Sequence, residues 1–526
     1  MLPRSFRYVA LFAVLIPAPA ACRNIAPPSA ESVLRISALT SGQWRLTNAF
    51  AGEELSGAAN GFGLLGRYRE VDDFRTGRFA WRADYGAWPL AEGLDRRGRW
   101  RMDASRRVHF LNSNQATAVA VTEAYIASRG YARLGNRNAT SIGSSYESDQ
   151  RCDLIAVTPS KGVTAVLSIG RRDRLLHRID VHLSTRIETI RYGNYRSVRG
   201  AKLPFSVSVD DGDAPATAHI TISSYRFLAR VDAAAFEPPP QSLDDARINN
   251  GATARVPLTI SRGTGFPIVF AAINGYPAMP FIVDTGGHDI LTPSAARYLR
   301  LKVTGRGVSF GSGPGSTPTA LTSVQNVSIG NAAMLSQPFT VLDLDLGKAS
   351  DARGQLVPIA GILGLEFFER FKVTLNFPKR EVGLALQADA DSGDKWIPLT
   401  FTSDEPLVDA RLNGRLGSFA IDTGNNVGLI VYHRWLLATS TSAPGLNWQP
   451  GEMGGSSVGG AVMFRHARAD SFVLGAMRLN GVPLLVANAH AGSMSSTSEA
   501  GSLGVPPLLP FCVTFDYRAG TMAIRR

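Results

Sequence analysis

Two segments of this chain read alike: FIVDTGGHDIL from Phe281 to Leu291 and FAIDTGNNVGL from Phe419 to Leu429. Their aspartates, Asp284 and Asp422, stand 138 residues apart. A second feature returns at nearly the same offset. GILGLEFFERFKVTLNFPKREVGL, from Gly361, is matched 140 residues later by GSLGVPPLLPFCVTFDYRAGTMAI, from Gly501. The two features lie 77 residues apart in one copy and 79 in the other. Order and spacing kept over such a length predict one structural unit built twice, rather than a chance recurrence of three letters. The fold must therefore accommodate a pseudo-twofold pair.

The 526 residues exceed what one core holds, so further units are expected around that pair. From about Ser29 to Phe236 the chain is rich in short alternating runs such as RFAWRAD, RIDVHLS and KLPFSVSV, the pattern of half-buried strands. One stretch, Asn114 to Ser128, has helical periodicity and ends before Gly130. The Pro run and polar residues of FEPPPQSLDDARINNGATARVP mark a linker. These signals divide the chain into a signal segment at 1–21 and a β-rich α+β amino-terminal domain at 22–240. A linker follows at 241–255, then one repeat at 256–390 and the second at 391–526. Each repeat carries a glycine-rich run between strand-like segments, Gly305 to Leu321 and Gly451 to Phe464, which reads as a hairpin.

The aspartates point to a chemistry. Each follows a short apolar strand, Phe281-Ile282-Val283 or Phe419-Ala420-Ile421, and precedes a glycine that permits a tight turn. Two carboxylates brought together across a twofold axis can share one proton, because the second charge is disfavoured beside the first. The ionised member can take a proton from water while the protonated member donates to a substrate carbonyl.

Two apolar residues and Asp-Thr-Gly, a glycine-rich hairpin, then two apolar residues and Gly: this order resembles the aspartic proteases, retropepsin-like in its short lobes, and covers about Val256 to Arg526. The resemblance implies a mostly β fold, a bilobal pair of aspartic-protease-like β-barrels preceded by the amino-terminal domain. It implies an endopeptidase with Asp284 and Asp422 as catalytic dyad. Thr285 and Thr423 would bond across the lobe junction, Gly286 and Gly424 would permit the turns, and Ile362-Leu363-Gly364 would brace the first aspartate. Flap residues Phe310, Gly311, Ser312 and Gly313, with Ser456, Ser457, Val458 and Gly459, would close over an extended peptide. The sequence departs from that pattern at Gly287 and Asn425, where Ala or Ser usually follows, at Ser502 in the second bracing triplet, and in lacking a flap tyrosine. With both lobes in one chain, the site is expected within a monomer. The competing expectation is a peptide-binding envelope protein that keeps the cleft without turnover.

Other signals narrow the class. A net charge of +12 raises nucleic acid as a partner, but the arginines are scattered and no recognition motif accompanies them, so none is expected. Arg4 and Arg7, the apolar run Val9 to Ile16 and the small residues after it read as a secretory signal. The protein is therefore expected outside the cytoplasm, in the periplasm, at the outer membrane or secreted. Cys22, after Ala20-Ala21, is a lipidation candidate through which the protein would associate with a membrane. Cys152 and Cys512 are left either to pair or to stay as buried thiols. The histidines and cysteines show no metal-ligand spacing, and no metal or cofactor is expected. GFGLLG, Gly61 to Gly66, has the letters of a dinucleotide fingerprint without its strand and helix, and GSSVG, Gly455 to Gly459, those of a nucleophile elbow inside a glycine run. Neither is assigned a site. The tryptophans Trp44, Trp81, Trp88 and Trp100 are read as core. His288, close to Asp284, is read as a solvated loop residue. The YRSVRGAKLPF turn resembles a segment of periplasmic lipoprotein-carrier-like domains.

Overall fold

The computed structural model describes residues 29–135, 138–147, 149–210, 217–241, 244–386, 395–438 and 445–526. The signal segment and Cys22 lie outside them. The described chain is mostly β, arranged in large sheets.

Residues 52–228 supply one thirteen-stranded sheet in which every neighbour pair is antiparallel. Within each half its order follows from hairpins. Strands from Gly52–Gly61 to Val108–Leu111 run outward in one direction, and those from Ala218–Leu228 back to Ala139–Glu147 run outward in the other. The two meanders join where Gly52–Gly61 pairs with Ala218–Leu228. The helix Asn114–Ala127 links them, with Ser113 accepting from the Ala116 N–H at 3.0 Å as its cap. A second helix, Ala30–Ser41, was not legible as periodicity. It is capped by Ser29 and stopped by Gly42 at φ 70°, and its apolar face packs on Ile155, Leu167 and Ile179 of the sheet. Trp100 is fully buried and donates its indole N–H to the Phe236 carbonyl at 2.8 Å, which agrees with a core role. Cys152 and Cys512 lie in different sheets and form no disulfide with each other.

Beyond residue 245 the chain builds a nine-stranded and an eight-stranded sheet, and the order of equivalent strands matches between them. In the first, Met279–Val283 lies between Pro267–Ile273, antiparallel, and Gly361–Leu363, parallel. In the second, Arg415–Ile421 lies between Pro406–Leu412 and Gly501–Leu503 in the same senses. A six-stranded sheet takes three strands from each repeat and underlies the pair. At its centre Thr374 stands opposite Thr514, its own equivalent 140 residues on, with the two Oγ1 atoms 3.0 Å apart. A residue pairing with its own counterpart is what a pseudo-twofold axis requires. Phe368, Phe371, Phe515 and Tyr517 stack around this junction and belong to one core cluster spanning both repeats.

The stretch 241–255, expected as a linker, is not a free tether. Ala246–Ile248 pairs with Ala332–Leu342, and Thr253–Pro257 forms an edge of the six-stranded sheet. The amino-terminal sheet is docked on both repeats. Asn112 and Ser113 donate their backbone N–H groups to the Phe401 carbonyl at 3.0 and 3.1 Å. Arg370, whose side chain is wholly buried, pairs with Asp245 at 2.6 Å and donates to the Ser105 carbonyl at 3.1 Å, while Arg107 also pairs with Asp245. Without Arg370, Asp245 keeps Arg107 as a partner, but the Ser105 and Glu366 carbonyls lose their donor. Arg370→Met is therefore expected to lower the unfolding free energy by about 2 kcal/mol, measured by chemical denaturation of the full chain.

Candidate active site

The Asp-Thr-Gly turns meet at the axis between the repeats. Parallel pairing of Val283 with Leu363 leads straight into the first turn, where Asp284 donates its backbone N–H to the Leu363 carbonyl at 3.0 Å. Ile421 and Leu503 do the same for Asp422, at 3.1 Å. The bracing triplets of the sequence reading thus lie beside the aspartates as backbone acceptors.

The threonines lock the junction reciprocally. Thr285 donates its backbone N–H to Thr423 Oγ1 at 3.0 Å, and Thr423 donates its own to Thr285 Oγ1 at 3.0 Å. Each hydroxyl in turn donates across the axis, Thr285 to the Ile421 carbonyl at 2.6 Å and Thr423 to the Val283 carbonyl at 2.7 Å. Both residues are buried. Tyr517, equivalent to Phe377 in the other repeat, adds a hydroxyl bond to the Thr285 carbonyl at 2.9 Å.

The glycines leave room for the carboxyl groups. A methyl group on Gly424 would sit 2.4 Å from Asp284 Oδ2, and one on Gly286 would sit 3.1 Å from the Asp422 carboxyl carbon. With neither present, Asp284 and Asp422 hydrogen-bond to each other. Their environments differ. Asp284 Oδ1 accepts from the N–H groups of Gly286 and Gly424 at 2.9 and 3.1 Å. Burial raises the Asp284 carboxyl above the usual range, and these bonds and the bond with Asp422 pull it back. Burial and then the Asp284 charge push Asp422 well above the usual carboxylate range. One proton held between the two is therefore favoured over two charges, and the stronger upward push falls on Asp422.

Residues 269–367 match the model of a family described as aspartyl protease. This region is aspartyl protease-like. A comparison with curated proteins found no match. Among solved structures, the chain is similar to a retropepsin-like aspartic protease from Rickettsia conorii at 23% identity, covering 26% of this chain and 92% of that one with a TM-score of 0.19. It is also similar to a LolA superfamily protein from Nitrosomonas europaea at 15% identity, covering 40% and 98% with a TM-score of 0.27. A third is a DUF1329 family protein from Desulfovibrio piger at 12% identity, covering 38% and 96% with a TM-score of 0.28.

Around the protease-like turns, two departures noted in the sequence explain one another. Asn425 donates from Nδ2 to Ser502 Oγ at 3.1 Å and to the Gly428 carbonyl at 2.9 Å, so the polar residue in the second bracing triplet is the partner of the residue after the second turn. On the first side no such side chain fits, because a methyl group on Gly287 would approach Asp284 Oδ2 to 2.9 Å.

His288 corrects the sequence reading. It is not simply solvated: Nδ1 lies 2.9 Å from Glu366 Oε1 and Nε2 lies 3.2 Å from Asp404 Oδ2. Burial alone would lower its pKa, but the Glu366 charge and the hydrogen bond to Asp404 outweigh this and raise it well above the usual value. Asp404 also meets His109 of the amino-terminal sheet, at 3.1 Å, so one carboxylate ties that sheet to the loop after Asp284. Glu405, next in the chain, was missed altogether. Burial, then the charges of Asp422, Glu499 and Asp284, raise it well above the carboxylate range, which makes it a third acidic group in the field of the pair. A charge so placed carries no motif, and only the fold reveals it.

The two glycine-rich hairpins meet each other. Thr304–Phe310 pairs with Ser316–Ile329, and Asn447–Ser457 with Gly460–Leu474. Their tips touch: Gly313 donates to the Val458 carbonyl at 2.9 Å, Gly315 to the Gly459 carbonyl at 2.8 Å, and Gly459 to Thr317 Oγ1 at 3.1 Å. Of the expected tip residues, Gly311 and Ser312 contact Ser493 beyond the second hairpin. Ser456 stands in the second hairpin's ladder opposite Ala461, and Ser457 bonds within its own turn, to the Val458 and Gly460 carbonyls at 3.2 Å. Phe310 lies under the guanidinium of Arg186.

The raised pKa of Asp422 fixes the sign of a pH effect. The folded state favours the neutral carboxyl, so this group favours folding below its unfolded pKa, and that advantage is lost as pH rises through the folded value. Asp422→Asn, which is neutral throughout, is expected to unfold at a higher temperature than the parent at pH 7. The gap should close by pH 3, as thermal unfolding followed across pH will show.

Proposed function

We propose that residues 256–526 are a bilobal aspartic endopeptidase whose catalytic dyad is Asp284 and Asp422. The observation that carries this reading is the junction itself: two Asp-Thr-Gly turns from separate repeats, locked by reciprocal threonine bonds with their carboxyl groups in contact. The matched aspartyl protease family model over residues 269–367 supports it.

In this reading an extended peptide lies between the dyad and the two hairpins, adding a strand beneath their tips. A water held between the carboxyl groups gives one proton to the ionised Asp284 as its oxygen attacks the scissile carbonyl carbon. Asp422 gives its proton to the carbonyl oxygen, which forms a neutral tetrahedral diol. Collapse breaks the C–N bond as Asp284 passes its proton to the leaving nitrogen, and a diol hydroxyl returns a proton to Asp422. The carboxyl groups end as they began, and water has been added across one peptide bond. Asp422 starts neutral because it stands beside a charge, and Asp284 starts ionised because two N–H groups hold its oxygen. Both lobes belong to one chain, so the site needs no second copy. The signal pattern of residues 1–21 supports an activity outside the cytoplasm. There the amino-terminal domain would recruit substrate or hold the enzyme at the envelope, with an acyl group on Cys22 as one anchor.

The test is direct. Mature protein is incubated with a diverse peptide mixture from acid to neutral pH and the products are read by mass spectrometry. Cleavage is expected from the parent, with kcat falling by about a thousandfold or more in Asp284→Asn and in Asp422→Asn. Saturable peptide binding by the folded parent without products would replace the peptidase by a peptide-binding protein on the same fold.

A further inference from the structure

The turn Gly61-Phe62-Gly63 is built against its local preference. It joins Gly52–Gly61 to Leu64–Asp73 as a two-residue hairpin, with Gly61 paired to Leu64. Both central residues have positive φ, 54° at Phe62 and 68° at Gly63, the pair of values that a type I′ turn requires. Asparagine, aspartate or glycine normally fills the first position, and this chain uses Asn413-Gly414 for a two-residue turn between Pro406–Leu412 and Arg415–Ile421. Phe62 is the one aromatic residue with positive φ among the described residues. A bulky side chain held there is strained, and strain of this kind persists where the surroundings make use of it.

The surroundings are the first glycine-rich hairpin, which the peptidase reading places over the Asp284/Asp422 pair. The Phe62 carbonyl accepts the Arg306 N–H at 2.6 Å. Its ring lies where a methyl group on Gly307 would approach to 2.9 Å, and one on Gly305 would come within 3.1 Å of the Phe62 carbonyl oxygen. The glycines at the base of this hairpin therefore do two things: they give the strand its bend and leave space for an aromatic ring from another sheet. A second contact lies at the far end of the same strand, where Arg186, in the exposed turn after Leu176–His182, sits over the Phe310 ring at 5.9 Å. Thus the amino-terminal sheet touches the strand Thr304–Phe310 at its beginning and its end. The tip just beyond bonds to the second hairpin through Gly313 and Gly315.

We propose that Phe62 and Arg186 are positioning residues for the first hairpin, through which the thirteen-stranded sheet holds the cover of the Asp284/Asp422 cleft. The first hairpin is the anchored half of the cover, and admission of a peptide proceeds by parting the tips at Val458 and Gly459, with the second hairpin as the moving half. The amino-terminal unit is then a working part of the cleft. For turnover this rests on the peptidase reading above; for the hairpin it rests on the contacts alone.

The experiment uses the full chain and its Phe62→Asn, Arg186→Ala and doubly substituted forms. Asparagine suits the turn, so Phe62→Asn should unfold at or above the parent's temperature while losing the ring. Hydrogen exchange read by mass spectrometry is expected to quicken about tenfold in the double variant over residues 304–329, with residues 139–181 of the sheet unchanged. On a peptide cleaved by the parent, KM should rise about threefold or more with kcat retained, as for loss of binding shared by ground and transition states. Unchanged exchange over 304–329 in the double variant overturns the proposal. So does exchange that quickens equally in every segment alongside a fall in unfolding temperature, which would reduce both residues to general stability. If the parent cleaves nothing, the peptidase reading fails on that result, while the exchange comparison still decides whether these residues hold the hairpin.

Discussion

The reciprocal bonds of Thr285 and Thr423 are the constraint on which the rest of the described structure past residue 245 depends. Each threonine offers a backbone N–H and a hydroxyl, and all four donors find acceptors across the axis. Both residues are buried, so a shift of one repeat relative to the other would strand these groups away from water at about 1 to 3 kcal/mol each. Only one registration satisfies them together. That registration brings Asp284 against Asp422 and sets Thr374 opposite Thr514 in the six-stranded sheet. The junction is thus at once a stability feature and the source of the carboxyl pair.

Duplication supplies the pair, and divergence between the copies gives its members different tasks. Asp284 Oδ1 accepts from two backbone donors, whereas at Asp422 burial and the Asp284 charge outweigh the backbone bonds from Gly424 and Asn425. Asn425 and Ser502 form a side-chain bond with no counterpart at Gly287 and Ile362. Tyr517 reaches the Thr285 carbonyl from a place where the first repeat has Phe377. The amino-terminal sheet adds to the asymmetry, since its His109 meets Asp404, which holds His288 just after Asp284. A carboxylate between two histidines and Arg101 is kept well below the usual range: burial opposes this, but the bonds from His109 and His288 and the Arg101 charge prevail. The loop beside one aspartate is therefore braced by a separate sheet, and the loop beside the other is braced by Asn425.

How much of this was legible depends on the range of the interaction concerned. Asp284, Asp422 and the triplets at Gly361 and Gly501 could be read because duplication wrote the same local pattern twice, and local pattern is what apolar alternation and turn chemistry record. The glycine-rich hairpins could be read for the same reason. His288 was misjudged because its partners lie 78 and 116 residues away. Glu405 could not be singled out, since its raised pKa comes from burial and from carboxylates that chain folding brings near. The supposed linker held polar and small residues that turned out to be strand edges, because an edge strand needs a neighbour with free backbone groups more than an apolar pattern. Ala30–Ser41 announced itself only by its capping Ser29 and terminal Gly42.

The sequence by itself determined that one unit recurs, that each copy sets an aspartate on a turn after a buried strand, and that the residues ahead of the pair form a mostly β unit of their own. These are short-range consequences of periodicity, apolar runs and glycine. Tertiary structure alone decided that Asp422 is pushed up harder than Asp284, that His288 is an ion-paired brace, and that Phe62 of GFGLLG lies against the base of a glycine-rich hairpin. Each of those depends on groups far apart in sequence being brought together by the fold. A charge or a strained turn acquires its meaning there from what packs against it.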